Sequence, residues 1–213
     1  MDSAFFVSGI GTDVGKTVVS SILCELFFAN YWKPVQSGEL ENTDSMKVKG
    51  FVNFETFHCF PEQFRLTQPL SPHVSAKLDG VQIEANDFTF PNFTGNLIVE
   101  GAGGLMVPIN ENGLLYCDLV ATWKLPTILI SRHYLGSINH TLMSIETLRN
   151  RQIPILGIIY VGDELPMTEE IIFTKTQVPT LFHVPIFETL SKEVISTFAT
   201  QLRSPKLLAK FGL

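Results

Sequence analysis

The 213-residue chain carries 15 lysines and arginines against 21 aspartates and glutamates, a net charge of -6, with 45% hydrophobic and 17% charged residues. That length and composition suit a folded domain with a core of its own and exclude a disordered segment. The acidic balance excludes a general binder of nucleic acid or acidic membrane, which needs a basic face, so any phosphate recognition must be local.

The opening MDSAFFVSG has an acid where a signal peptide carries positive charge, and its apolar run is too short for a signal core. No later run is long enough to span a bilayer. Cys24, Cys59 and Cys117 are odd in number, far apart and without metal-type spacing. Reduced thiols in a cytoplasmic protein are therefore expected, with no membrane and no nucleic-acid partner.

The first predicted element is a strand over residues 4–8. GIGTDVGKT follows at 9–17 and leads into a helix predicted over 16–29. A loop with few side chains between a strand and a helix turns backbone N–H groups toward phosphate oxygens, and the helix N-terminus favours the anion. Lys16 is placed to neutralise the β and γ phosphates of a nucleotide, and the Thr17 hydroxyl to ligate Mg²⁺. Gly9 lies one residue further from Gly15 than the pattern GxxxxGK[ST] asks, so the cradle is of a variant type. Gly11 stands where partition-type and nitrogenase-type ATPases carry a second lysine, which argues against that subgroup.

A second strand, predicted over 31–35, runs into KPVQSG, with Asp44 shortly after. A lysine at a strand's carboxyl end, here Lys33, can hold a carboxylate or a transferred phosphoryl group, and Ser37 can add a hydrogen bond. Residues 50–96 are rich in Phe, Pro and Asn with weak periodicity; they read equally as an irregular lid on the substrate side or as a poorly patterned helix pair. A strand over 97–100 then delivers VEGAGG, placing Glu100 where other P-loop enzymes use a strand-end acid for Mg²⁺. After a strand over 127–131, LGSINH at 135–140 opens a helix over 138–149 whose free N–H groups can bind a carboxylate. Strands over 155–161 and 180–184 and a helix over 191–202 complete the alternation. The expected fold is one α/β domain over residues 1–213, P-loop NTPase-like and doubly wound, its mainly parallel sheet carrying helices on both faces and ligands beyond the strands' carboxyl ends.

Taken in order, GIGTDVGKT, KPVQSG, the NTD that ends at Asp44, SPH at 71–73, VEGAGG and LGSINH resemble dethiobiotin synthetase, over most of the chain from residue 5 to about 148. The resemblance implies a P-loop homodimer with substrate near the dimer interface. It implies an ATP- and Mg²⁺-dependent ring closure in which 7,8-diaminononanoate takes up CO₂ as a carbamate that the γ-phosphate then activates. By motif match, Lys16 and Lys33 are the catalytic lysines, and Thr17, Asp44 and Glu100 hold the Mg²⁺. Thr12, Lys33 and Ser37, with Gly136, Ser137 and Asn139, contact the substrate. Asp13, Val14, Gly15, Lys16, Thr17, Val18, Asp44, Glu100, Gly101, Ala102 and Gly103, with the backbone near Pro185 and Ile186, contact the nucleotide.

The sequence departs from the family in two places. FFANYWKPV leaves little room for a full second strand, and the asparagine that reads adenine in the family is here Val161 or Gly162. The second departure predicts weaker base selectivity. Competing readings are another ATP-dependent amidoligase-like enzyme on the same cradle, a P-loop regulator that binds nucleotide without synthesis, or an inactive synthetase. Lys33, Ser37 and the LGSINH helix start favour the synthetase over a regulator. His73 and His140 read as structural.

Overall fold

The structure is a computed structural model that describes residues 2–213. In chain order its elements are β1 (Ser3–Gly9), α1 (Lys16–Phe27), β2 (Ala29–Trp32), β3 (Val35–Ser37), α2 (Asp44–Phe51), β4 (Cys59–Phe60), β5 (Phe64–Leu66), α3 (Pro72–Asp79), β6 (Asn96–Gly104), α4 (Tyr116–Trp123), β7 (Thr127–Arg132), α5 (Ser137–Asn150), β8 (Ile155–Val161), α6 (Pro166–Thr176), β9 (Thr180–Val184), α7 (Lys192–Leu202) and α8 (Pro205–Ala209). The main sheet has seven strands in the order β4-β2-β6-β1-β7-β8-β9, every pair of them parallel.

Its strands are apolar on both sides because both faces are covered. Successive residues of a strand point to opposite faces. Phe5 and Val7 of β1 and Ile98 of β6 thus join one core with Val19, Ile22 and Leu26 of α1 and Ile195 and Ala199 of α7. Phe6, Leu97 and Val99 join the other with Ala76 of α3 and Cys117 and Val120 of α4. The expected parallel sheet with helices on both faces is present, and β7, β8 and β9 lie where the apolar runs put them.

The predicted strand over 31–35 is two elements. Pro34 has no N–H to give a ladder and restricts Lys33 before it, so β2 stops at Trp32, and β3 pairs instead with β5 in a separate two-stranded sheet. Lys33 therefore stands at the end of the main sheet while Ser37 is carried by the small one. The short turn before β2 works because α1 ends at Phe27 and the single residue Phe28 takes a left-handed conformation, φ 50°. Residues 50–96 hold β4, β5, α3 and a 3₁₀ turn at Ala85–Asp87 in place of a helix pair. Val52, Leu66, Ala76, Ile83 and Phe88 of this stretch are buried; strands of two or three residues are too short to print a period on the sequence.

Candidate active site

A cleft of about 920 Å³ opens at the carboxyl ends of the central strands, the usual place for ligands in such sheets. Of the residues singled out from sequence, Thr12, Asp13, Gly15, Lys16, Thr17, Val18, Lys33, Ser37, Asp44, Glu100, Ala102 and Gly103 line it. Val14 is buried behind the loop, and Gly101 lies so close to the Phe6 ring that a Cβ there would meet Cζ at 2.8 Å. The remaining five are elsewhere. Gly136 and Asn139 are exposed and Ser137 is buried at the start of α5, while Pro185 and Ile186 are exposed beyond β9; none of these lines the cleft.

The loop before α1 is built for an anion. Gly15 holds φ 94°, a left-handed conformation that starts the helix without a side-chain cap, and a Cβ on it would come within 3.2 Å of Val161. Among the described residues, the backbone N–H groups from Thr12 to Val18 donate to no backbone carbonyl, so they are free for a ligand. Lys16 folds over the loop, its Nζ donating to the Gly11 carbonyl at 2.9 Å. Burial lowers its pKa from 10.5, with the nearby Glu100 carboxylate working against that shift.

Opposite the loop, four elements converge on one charged group. Glu100 is fully buried in β6. Its Oε2 accepts from the Tyr31 hydroxyl of β2 at 3.0 Å, and its Oε1 lies 3.3 Å from Thr17 Oγ1 of α1 and accepts from Lys33 Nζ at 3.4 Å. Lys33 also pairs with Asp44 Oδ2, and Thr17 Oγ1 donates to Asp44 Oδ1 at 3.0 Å. Burial pulls the Lys33 ammonium down, but Glu100 and Asp44 more than offset it, and its pKa stands above 10.5. Burial pushes the Asp44 carboxyl up, yet the Lys33 ion pair and the Thr17 hydroxyl hold it below 3.8.

Asp44 is placed by its neighbours in the chain. Thr43 caps α2 by accepting from the Met46 N–H, which fixes the first helical turn. The Asp44 N–H donates to Gln36 Oε1 at 3.3 Å, and Gln36 Nε2 donates to the Gly38 carbonyl at 3.0 Å. KPVQSG thereby ties β3 to the start of α2. Gln36, Tyr31 and Lys47, which lies 3.8 Å from Asp44, were not singled out from sequence. Gln36 alone had a signal, its place inside KPVQSG; Tyr31 reads as one more apolar strand residue. The Ser37 hydroxyl oxygen is buried at the cleft with no hydrogen-bond partner among the described residues. His73 and His140 satisfy local partners, Ser71 Oγ at 3.0 Å and the Tyr134 hydroxyl at 2.8 Å.

A family model described as an AAA domain matches residues 3–194. The ATP-dependent dethiobiotin synthetase BioD of Christiangramia forsetii is 44% identical over 203 residues, covering 95% of this chain and 97% of that protein. The protein of the same name from Brucella ovis is 45% identical over 193 residues, 91% of each chain. Among solved structures, a plasmid partition protein of Borrelia burgdorferi bound to AMPPNP superposes with a TM-score of 0.57 at 11% identity, covering 99% of this chain and 98% of that one. The cell division ATPase MinD of Pyrococcus furiosus gives 0.55 at 12% identity, covering 99% and 100%. At such identities these two structures share the fold alone. The close relatives cover nearly the whole chain, and this protein belongs to the ATP-dependent dethiobiotin synthetase family.

Proposed function

We propose that the chain closes a ureido ring on 7,8-diaminononanoate with CO₂ and ATP, giving dethiobiotin, ADP and phosphate. One amine of the substrate attacks CO₂ and loses a proton to form a carbamate. A carbamate oxygen then takes the γ-phosphoryl group from ATP, with ADP leaving. The second amine attacks the carbamate carbon and loses a proton, the C–O bond to phosphate breaks, and the ring is closed as phosphate departs. Phosphoryl transfer of this kind needs positioning and charge stabilisation more than covalent chemistry.

The observation that carries this reading is the placement of two lysines around one cleft. Lys16 reaches over the phosphate loop, and Lys33 stands at the end of β2 beside Asp44 and Glu100. In this reading Lys16 holds the β and γ phosphates, and Lys33 holds the carbamate against the phosphoryl group in flight. Thr12 contacts the substrate, as does Ser37, whose hydroxyl has no hydrogen-bond partner among the described residues.

The donors around Thr17 fit Mg²⁺. Two carboxylates and a hydroxyl, all hard oxygens, meet with Thr17 Oγ1 3.0 Å from Asp44 and 3.3 Å from Glu100. Mg²⁺ commonly takes one or two carboxylates from the protein and its other ligands from phosphate and water. When bound, Mg²⁺ would neutralise the triphosphate and polarise the γ-phosphoryl group.

Gly136, Ser137 and Asn139 belong, in this reading, to the cleft of a second copy. What supports it is their position off this chain's own cleft, beside the exposed apolar side chains of Leu135, Ile138 and Met143. The start of α5 would then bind the substrate's carboxylate in a homodimer. Mixing inactive Lys16→Ala with inactive Asn139→Ala should restore activity by forming one complete site per mixed dimer; no recovery would sink the shared-site arrangement. The backbone at Pro185 and Ile186 is proposed to meet the adenine. Cys24, Cys59 and Cys117 are all free, in keeping with a cytoplasmic enzyme. ATP hydrolysis measured with and without 7,8-diaminononanoate and bicarbonate tests the whole reading: hydrolysis independent of both would overturn it.

A further inference from the structure

Tyr31 lies outside every motif that carries the family likeness, yet it touches the centre of the site. The register of β2 on β6 sets Tyr31 beside Ile98 and Trp32 beside Val99. Tyr31 and Ile98 pack in the core under α1, so Glu100, two residues beyond Ile98, projects to the same side. Tyr31 and Glu100 are both fully buried, and the hydroxyl donates to Glu100 Oε2 at 3.0 Å. Thr17 and Lys33 take the other oxygen, Oε1, at 3.3 and 3.4 Å.

That division of labour has a chemical consequence. The terminal torsion of a glutamate is soft, so an unrestrained carboxylate can offer a cation one oxygen or both. Mg²⁺ binds one oxygen of a carboxylate within a tight octahedron, whereas the larger Ca²⁺ accepts both.

We propose that Tyr31 is the positioning residue for Glu100: by engaging Oε2 it turns Oε1 alone toward Thr17 and the phosphates, and so makes Glu100 a single-oxygen ligand selective for a small divalent cation. This rests on the reading of Thr17, Asp44 and Glu100 as the metal ligands. Outer partners of metal ligands typically change metal affinity by about 10–100-fold when lost, and Tyr31→Phe removes this one while keeping the ring that fills the core.

The test is a double-mutant cycle on Mn²⁺ affinity, measured by electron paramagnetic resonance with ADP present, on the unsubstituted protein, Tyr31→Phe, Glu100→Gln and the double variant. Tyr31→Phe is expected to weaken Mn²⁺ by about 10-fold and to let Ca²⁺ displace Mn²⁺ more readily. In the Glu100→Gln background the same change should cost nothing further, because the hydroxyl acts only through that carboxylate. If Glu100→Gln weakens Mn²⁺ but Tyr31→Phe does not, or if the two losses add in full, the tyrosine is merely structural and the proposal is overturned while the metal reading stands. Unchanged affinity in Glu100→Gln would overturn the metal reading and this role with it. A lower melting temperature in Tyr31→Phe with unaltered Mn²⁺ affinity and Ca²⁺ competition also counts against the proposal.

Discussion

Lys16 Nζ lies 2.9 Å from the carbonyl oxygen of Gly11, five residues earlier on the same loop. The ammonium thus rests on the cradle it is proposed to neutralise, held by a single neutral acceptor that a phosphate oxygen can replace. Lys16→Ala removes that charge without touching either core. Turnover is expected to fall on the order of 100-fold or more, the usual effect of losing one preorganised group at a developing charge, with an unchanged circular dichroism spectrum. Near-normal activity would refute the cradle assignment.

Lys33 is only 4% exposed and is the cation between Asp44 and Glu100. Lys33→Gln should abolish dethiobiotin formation while leaving nucleotide affinity, measured by calorimetry, nearly intact. It also takes the ammonium partner from the buried Glu100 and leaves Asp44 with Lys47 alone, 3.8 Å away, as its salt-bridge partner among the described residues. Breaking a buried pair from one side typically costs about 3–5 kcal/mol. The melting temperature of the variant should therefore drop in EDTA and partly recover in Mg²⁺. Normal product formation would remove this lysine from the chemistry.

Asp44 links the site to acid stability. Its pKa is held below 3.8 in the folded chain by Lys33 and Thr17, against the effect of burial. A carboxyl whose folded pKa is depressed binds fewer protons than in the unfolded chain, so its contribution is present above about pH 3.8 and is lost as pH falls through the folded value. Asp44→Asn should be less stable than the unsubstituted protein at pH 5, with the gap shrinking toward pH 3. Denaturant titrations at the two pH values decide it; a constant gap would mean that Asp44 contributes through packing alone.

Base selectivity is expected to be weak because Val161 or Gly162 stands where the family's adenine-reading asparagine would be. The Val161 side chain lies against Gly15, close enough that a Cβ there would be 3.2 Å away, and the Gly162 N–H is already given to the Val184 carbonyl at 2.9 Å. Neither residue offers a side-chain hydrogen bond to a base, and sites without such bonds discriminate weakly. ATP should exceed GTP and CTP in kcat/KM by less than about 100-fold. A larger preference would show that other groups read the adenine.

The phosphate loop, β1 and the helix that follows were legible because their chemistry is local: the glycines, Lys16 and Thr17 act within nine consecutive residues. Apolar runs marked β7, β8 and β9 because a strand covered on both faces needs no polar positions. The broken second strand had a local cause in Pro34, but its outcome, Ser37 on a separate sheet, depended on β5 being at hand to pair with β3. Residues 50–96 were opaque because their elements are too short for periodicity and are stabilised by distant partners.

Residue order alone sufficed for the phosphate cradle, the α/β architecture and the charged residues Lys16, Lys33, Asp44 and Glu100, because these follow from short-range spacing and from burial along one strand; Lys47, which also lines the cleft, carries no such mark. How those residues are joined is a property of the packed chain. That Glu100 gives one oxygen to Tyr31 and the other to Thr17 and Lys33 depends on the register of β2 against β6 and on α1 crossing above them. That Gly136, Ser137 and Asn139 fall outside this chain's own cleft depends on where α5 starts relative to the sheet. Both relationships are set by packing between segments far apart in the chain, where residue spacing carries no information about distance.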